Sequence, residues 1–213
     1  MKRLFLTSQV QFVAASIAKK LGDDTKKPGV FITTPLSGRK HTAEELEWHN
    51  ENRRQLKNSG FNFVDYDITG KTSADIVHDL GKYEIMYVEG GNPFNMLKHS
   101  LENKFGSYVT ERINNGLIYM GTSAGSIIVG PDIRTAERAG HSAADSGLSS
   151  TASYGIVNFA ILPHWGNADK RKTYMETKLP IAYTVSYPII PLTDTQYVEV
   201  KDAWYRIVDV TKE

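Results

Sequence analysis

An apolar run, Leu117-Ile118-Tyr119-Met120, enters the pentapeptide Gly121-Thr122-Ser123-Ala124-Gly125, and a second apolar run, Ile127-Ile128-Val129, leaves it. No other stretch restricts the possible folds as strongly. A Gly-x-Ser-x-Gly segment set between strand-like and helix-like sequence reads as a sharp strand-to-helix elbow, whose glycines permit backbone contacts that a side chain would block. The serine hydroxyl then projects outward, and the helix that follows aims its free amides and positive dipole end at the same place. A developing oxyanion would be stabilised there. The bare pentapeptide should arise by chance in roughly one chain in fifteen of this length, so the flanking pattern carries the weight.

That pattern extends along the chain. Residues 3–7 form a short apolar strand, and Val10, Val13, Ile17 and Leu21 recur at helical spacing before Gly22, a helix stop. Residues 29–35 read as a buried strand ended by proline. Thr42 and Glu45 have capping-box spacing and open a polar helix to about Asn58. Residues 61–66 make the next strand, Thr72 or Ser73 caps a helix carrying Ile76, Val77 and Leu80, and residues 84–88 make a fourth strand. It ends in Glu89-Gly90-Gly91-Asn92-Pro93, with Asn92 and Pro93 placed to start a helix through Phe94, Leu97 and Leu101. Beyond the elbow, Gly130-Pro131 breaks the chain, and residues 139–153, rich in Gly, Ala and Ser, read as a loop. Strand patterns return at 156–163 and 187–192 around a charged helix over 169–178, and residues 196–208 alternate as a terminal hairpin. Strands alternating with helices predict an α/β fold of three layers: a mostly parallel, flavodoxin-like sheet with helices on both faces, ending in an antiparallel hairpin. A single domain over residues 1–213 is expected, with ligands at the C-terminal ends of its strands.

Composition narrows the chemistry. The chain has no cysteine, so no thiolate can act as nucleophile or metal ligand. The formal net charge of +1 is spread along the sequence, which points away from nucleic acid and anionic membranes and toward a small-molecule or peptide partner. Polar residues from Thr7 to Gln11 interrupt any leader-like start, and no apolar run approaches the length of a membrane span. A cytoplasmic monomer or homodimer without metal or cofactor is the expectation.

A serine nucleophile needs a base, most often a histidine oriented by an acid. Of six histidines, His41, His49, His78 and His99 have polar neighbours and read as surface residues, while His141 lies in the loop, within reach of a substrate. His164 directly follows an apolar strand run, which puts it at the sheet edge where Ser123 also sits, and it is the expected base. Asp194 repeats that logic beyond the run ending at Leu192, with Glu137 the alternative acid. The order Ser, His, Asp departs from the Ser, acid, His order of α/β-hydrolases and argues against an ordinary lipase or esterase.

Gly90-Gly91-Asn92, Gly121-Thr122-Ser123-Ala124-Gly125-Ser126 and Pro163-His164 resemble the aspartyl dipeptidase (dipeptidase E) and cyanophycinase family of serine peptidases, whose fold is shared with class I glutamine amidotransferases. The resemblance spans nearly the whole chain. It implies Ser123 as nucleophile, His164 as base and the amides of Gly91 and Ala124 as oxyanion donors. The family's third member is a glutamate after the late strand, and the matching position here holds Asp194. The dipeptidases favour an N-terminal aspartate, which calls for a cation in the pocket. Arg134 is the candidate, with Asn92 and His141 as further substrate contacts. An arginine-bearing isopeptide, as in cyanophycin, is the alternative substrate. A general serine hydrolase acting on esters and a non-catalytic flavodoxin-like binding module are the alternatives of other kinds.

Overall fold

A computed structural model of the chain describes residues 1–38, 40–138 and 141–213. Seven strands form one sheet in the order β3-β2-β4-β5-β1-β8-β9. Its parallel part comprises β1 (Arg3–Thr7), β2 (Gly29–Ile32), β3 (Phe63–Tyr66), β4 (Ile85–Val88) and β5 (Ile118–Thr122). The hairpin of β8 (Gln196–Lys201) and β9 (Trp204–Asp209) joins β1 antiparallel and completes the expected mostly parallel α/β architecture.

Every residue of β2, β4 and β5 is buried, which is why these strands read as unbroken apolar runs rather than alternating ones. Successive side chains nonetheless serve two separate cores. Phe5, Phe31, Ile85, Tyr87 and Met120 pack beneath α1 (Val10–Leu21) and α2 (Glu47–Asn58). Leu4, Leu6, Val30, Ile32, Met86, Val88 and Tyr119 pack against α3 (Ser73–Leu80), α4 (Pro93–Asn103), α5 (Phe105–Asn114) and α6 (Ala124–Ile127). The helical spacing in α1 is the buried stripe Val10, Val13, Ala14, Ile17 and Leu21, stopped by Gly22 at φ 57°. Thr72, rather than Ser73, caps α3 in a reciprocal box with Asp75.

Four elements differ from the sequence reading. The box between Thr42 and Glu45 does form, but it closes a tight turn, and the α-helical ladder begins only at Glu47. Helix α5 had no counterpart in the reading; its buried Phe105, Val109 and Ile113 are four residues apart, a thin stripe among polar residues. The charged segment after His164 is helical, but it passes through 3₁₀, α and π turns between Ala168 and Tyr183. Pro180 has no amide to continue an α ladder there. Finally, the patterns at 156–163 and 187–192 condense to β6 (Ala160–Leu162) and β7 (Ile189–Pro191), a separate parallel pair outside the main sheet. The free side of β1 is already occupied by β8, so no edge remains for them next to the elbow strand. The loop expected at 139–153 contains a 3₁₀ turn at Ala144–Ser146, and residues 139–140 lie outside the described residues. Among the described residues no helix is long and apolar enough to cross a membrane.

Candidate active site

The elbow is built by close packing of backbone on backbone. A Cβ on Gly125 would stand 2.1 Å from the Val88 carbonyl oxygen, and one on Gly121 would stand 2.5 Å from that of Gly125. Both glycines are therefore required by space. Ser123 turns at φ 48° and ψ −103°, a region costly for a residue with a side chain. Fixed partners hold it there: Ser123 N donates to Thr7 O at 3.0 Å, the Ser126 hydroxyl donates to Thr7 O and Gly121 O, and the Tyr119 hydroxyl donates to Gly125 O. The helix behind the serine has only four residues, so amide placement matters here more than a helix dipole.

His164 and Asp194 reach Ser123 from outside the main sheet. His164 lies two residues beyond β6 at φ 61°, and Asp194 three residues beyond β7. His164 Nε2 is 3.2 Å from Ser123 Oγ, and His164 Nδ1 is 2.8 Å from Asp194 Oδ1. A carboxylate only accepts, so Nδ1 carries the imidazole proton and Nε2 is left free to accept from the serine. Burial pushes the Asp194 carboxyl up, but hydrogen bonds from His164 and Ser8 and the charge of His164 outweigh it and hold the group below the usual carboxylate range. Glu137 makes no hydrogen bond or ion pair with His164 among the described residues.

Ser8, which sequence reasoning missed, ties the base and the acid together. Its hydroxyl donates to Asp194 Oδ1 at 2.5 Å and accepts from His164 N at 2.7 Å, and it is fully buried. One signal was available, because Ser8 directly follows the apolar run of β1 as His164 follows that of β6.

Opposite the serine, the Glu89-Gly90-Gly91-Asn92 turn leaves β4. Glu89 N donates to Ile32 O and Asn92 N to Pro35 O, and Gly90 N donates to its neighbour's carboxylate, Glu89 Oε1, at 2.7 Å. Among the described residues the amides of Gly91 and Ala124 donate to no other group. Gly91 sits at φ 133°, where a Cβ would be 2.4 Å from Pro35 O. The Asn92 side chain caps α4 through the amides of Phe94 and Asn95, and it also lines the cleft.

The cleft has a volume of about 660 Å³. Ser123, His164, Gly91 and Ala124 share it with His41, Trp48, Arg138, His141, Lys170, Tyr174 and Lys178. Arg134 does not line it, because Asp132 takes its guanidinium at 2.9 Å and its amide at 2.6 Å. Among the described residues the cations lining the cleft are instead Arg138, Lys170 and Lys178, with the carboxylates of Glu45 and Asp169 on the same lining. Burial, then the charges of Arg138 and Lys170, push Lys178 down to about 8, and burial also lowers Lys170. Two histidines expected at the surface are not there. His41 lines the cleft and bonds Leu36 O, and His49 is half-buried against Glu89. Their sequence neighbours are polar, but His49, Asn52 and Leu56 share one face of α2, and that face is turned inward. No group of His, Asp or Glu suited to a metal ion occurs among the described residues.

Comparison with known proteins fits this geometry. The profile of peptidase family S51 matches residues 4–208. An uncharacterized peptidase from Listeria innocua is 28% identical over 203 residues, 95% of this chain and 94% of its own length. Peptidase E from Haemophilus influenzae is 33% identical over 115 residues, 54% of this chain and 49% of that protein. The solved structure of a candidate peptidase E from Listeria monocytogenes EGD-e superposes with a TM-score of 0.83 at 23% identity, covering 98% of both chains, and so shares the fold.

Proposed function

Because the chain belongs to peptidase family S51 and is therefore a peptidase of a serine-type family, we propose that Ser123, His164 and Asp194 are its catalytic triad and that it releases aspartate from the N-terminus of short peptides. The observation that carries the triad is the continuous hydrogen-bond line from Ser123 Oγ through the imidazole to Asp194.

His164 Nε2 takes the hydroxyl proton as Ser123 Oγ attacks the peptide carbonyl, and Asp194 stabilises the imidazolium that results. Negative charge moves onto the carbonyl oxygen, where the amides of Gly91 and Ala124 receive it without reorganising. The imidazolium returns its proton to the leaving amine, leaving an acyl-enzyme. Water, deprotonated by the same imidazole, then hydrolyses that ester.

Support for an acidic N-terminal residue comes from Arg138, Lys170 and Lys178. These three cations line one partly buried cleft; Lys178 is lowered first by burial and then by the charges of Arg138 and Lys170, and a substrate carboxylate would offset both. Arg138 offers the bidentate geometry that suits a carboxylate. His141 and Asn92 complete the substrate contacts in this reading.

A panel of dipeptides varied at the N-terminal residue, assayed on the wild type and on Ser123→Ala, tests the proposal. Asp-Xaa turnover should exceed that of Ala-Xaa and Lys-Xaa, and Ser123→Ala should lower kcat by about 10⁴-fold or more. Undiminished turnover in that variant ends the triad reading, and equal turnover across the panel ends the specificity reading.

A further inference from the structure

Glu89 is fully buried, has no Lys or Arg within ion-pair distance among the described residues, and lies directly behind the turn that faces Ser123. An anion there is costly unless it is fully bonded. Asn52 Nδ2 at 3.0 Å, the Tyr87 hydroxyl at 3.0 Å and Gly90 N at 2.7 Å donate to Oε1, and His49 Nδ1 lies 2.9 Å from Oε2. The imidazole tautomer follows from its other side. Arg53 Nε donates to His49 Nε2 at 2.9 Å, and a guanidinium cannot accept, so the proton of His49 is on Nδ1 and points at Glu89. Four groups therefore donate to Glu89. Arg53 supplies the balancing charge one imidazole away, stacked 4.2 Å over the Phe31 ring and paired with Asp65.

The catalytic consequence lies in the turn. Of four successive amides, those of residues 89, 90 and 92 are occupied, and that of Gly91 has no partner among the described residues. Gly90 leaves little room for a side chain, since a Cβ on it would be 3.2 Å from the Trp48 ring. We propose that Glu89 is a positioning residue for the oxyanion hole: by holding Gly90 N–H it fixes the adjoining peptide so that Gly91 N–H faces the cleft. This inference rests on the reading of Gly91 as an oxyanion donor.

The test uses Glu89→Ala and Glu89→Gln in the full-length enzyme, with rates normalised to the fraction of serine titrated by a fluorophosphonate probe. Removing a single oxyanion donor typically costs about 10²–10³-fold in kcat. Glu89→Ala should approach the lower end of that range with KM nearly unchanged. Glu89→Gln keeps an acceptor for Gly90 but sets its amide against the His49 proton, so its kcat should fall, but by less than that of Glu89→Ala. A dipeptide boronic acid that forms a tetrahedral adduct on the serine should lose affinity by the same factor as kcat, and a non-reacting product analogue should not. If Glu89→Ala does not fold, the Gln variant and the boronic acid carry the test. Unchanged kcat per titrated site, or a loss confined to KM, overturns the role of Glu89. Ser123→Ala, assayed per mole of protein, separates the two failures: turnover surviving there removes the triad reading itself, whereas an inert Ser123→Ala beside an unaffected Glu89→Ala removes only this inference.

Discussion

At the scale of single residues, the proposed site rests on hydroxyl and backbone groups as much as on the three side chains of the proposed triad. Ser8 shows why. Its one hydroxyl donates to the acid and accepts from the amide of the base, so it fixes both the carboxylate and the φ 61° turn of His164. Ser8→Ala deletes a hydrogen bond to a charged group, worth about 1.5–3 kcal/mol. Asp194 would still be paired with His164, but both would gain freedom. The expected result is a kcat lower by about tenfold to a hundredfold at nearly constant KM. Steady-state kinetics on the purified variant check it, and a rate within twofold of wild type would mean that the hydroxyl is incidental. Ser123, His164 and Asp194, which the fold brings into one hydrogen-bond line, could be picked out in the sequence because each follows an apolar run, at or a few residues beyond a strand's C-terminal end. Ser8 obeys the same rule, yet its partners lie 156 and 186 residues away, and no local pattern announces them.

Among the elements, β1, β4 and β5 form a frame of adjacent parallel strands, while His164 and Asp194, the proposed base and acid, follow β6 and β7 of a second small sheet. The strand-helix alternation exposed the frame because fully buried parallel strands make long apolar runs. It could not show that β6 and β7 leave the main sheet, since strand patterns carry no record of which edge is already taken. Arg138 rather than Arg134 lines the cleft for a similar reason: Asp132 captures the guanidinium of Arg134, a pairing that the sequence pattern does not record. The join between frame and elbow is the contact of Gly125 with Val88 O. An alanine there places its Cβ 2.1 Å from a carbonyl oxygen that is fixed in the sheet and cannot yield as a flexible side chain would. Gly125→Ala should therefore lower stability by about 3 kcal/mol or more and displace Ser123 from the imidazole. Thermal denaturation alongside fluorophosphonate labelling measures both effects, and a variant with wild-type stability and labelling would show that the elbow can shift without cost.

Across the whole molecule, the formal charge is close to neutral, but its distribution around the cleft is not. Arg138, Lys170 and Lys178 come from segments that the chain brings together only by folding over His164, where the Tyr174 hydroxyl donates to Pro163 O at 2.6 Å. Lys178 is the cation that titrates within a practical range, because burial and its two cationic neighbours bring it to about 8. Below that value it is charged and, under the proposed specificity, would attract an acidic substrate; above it the group is neutral and that attraction would be lost. Tyr174, pushed up to about 12 mainly by burial, stays neutral across this window, and Asp194 stays ionised. The kcat/KM for Asp-Xaa dipeptides, which reports ionisations of the free enzyme and free substrate, should fall as pH rises through about 8. The substrate's own α-amino group also titrates at about 7.7–8.0, so the decisive quantity is the ratio of kcat/KM for Asp-Xaa to that for Ala-Xaa, from which the amine cancels. That ratio should drop by about tenfold across the transition in the wild type, the worth of one charged hydrogen bond. In Lys178→Met it should start low and stay flat. A ratio independent of pH in the wild type would place the recognition of the acidic side chain away from Lys178.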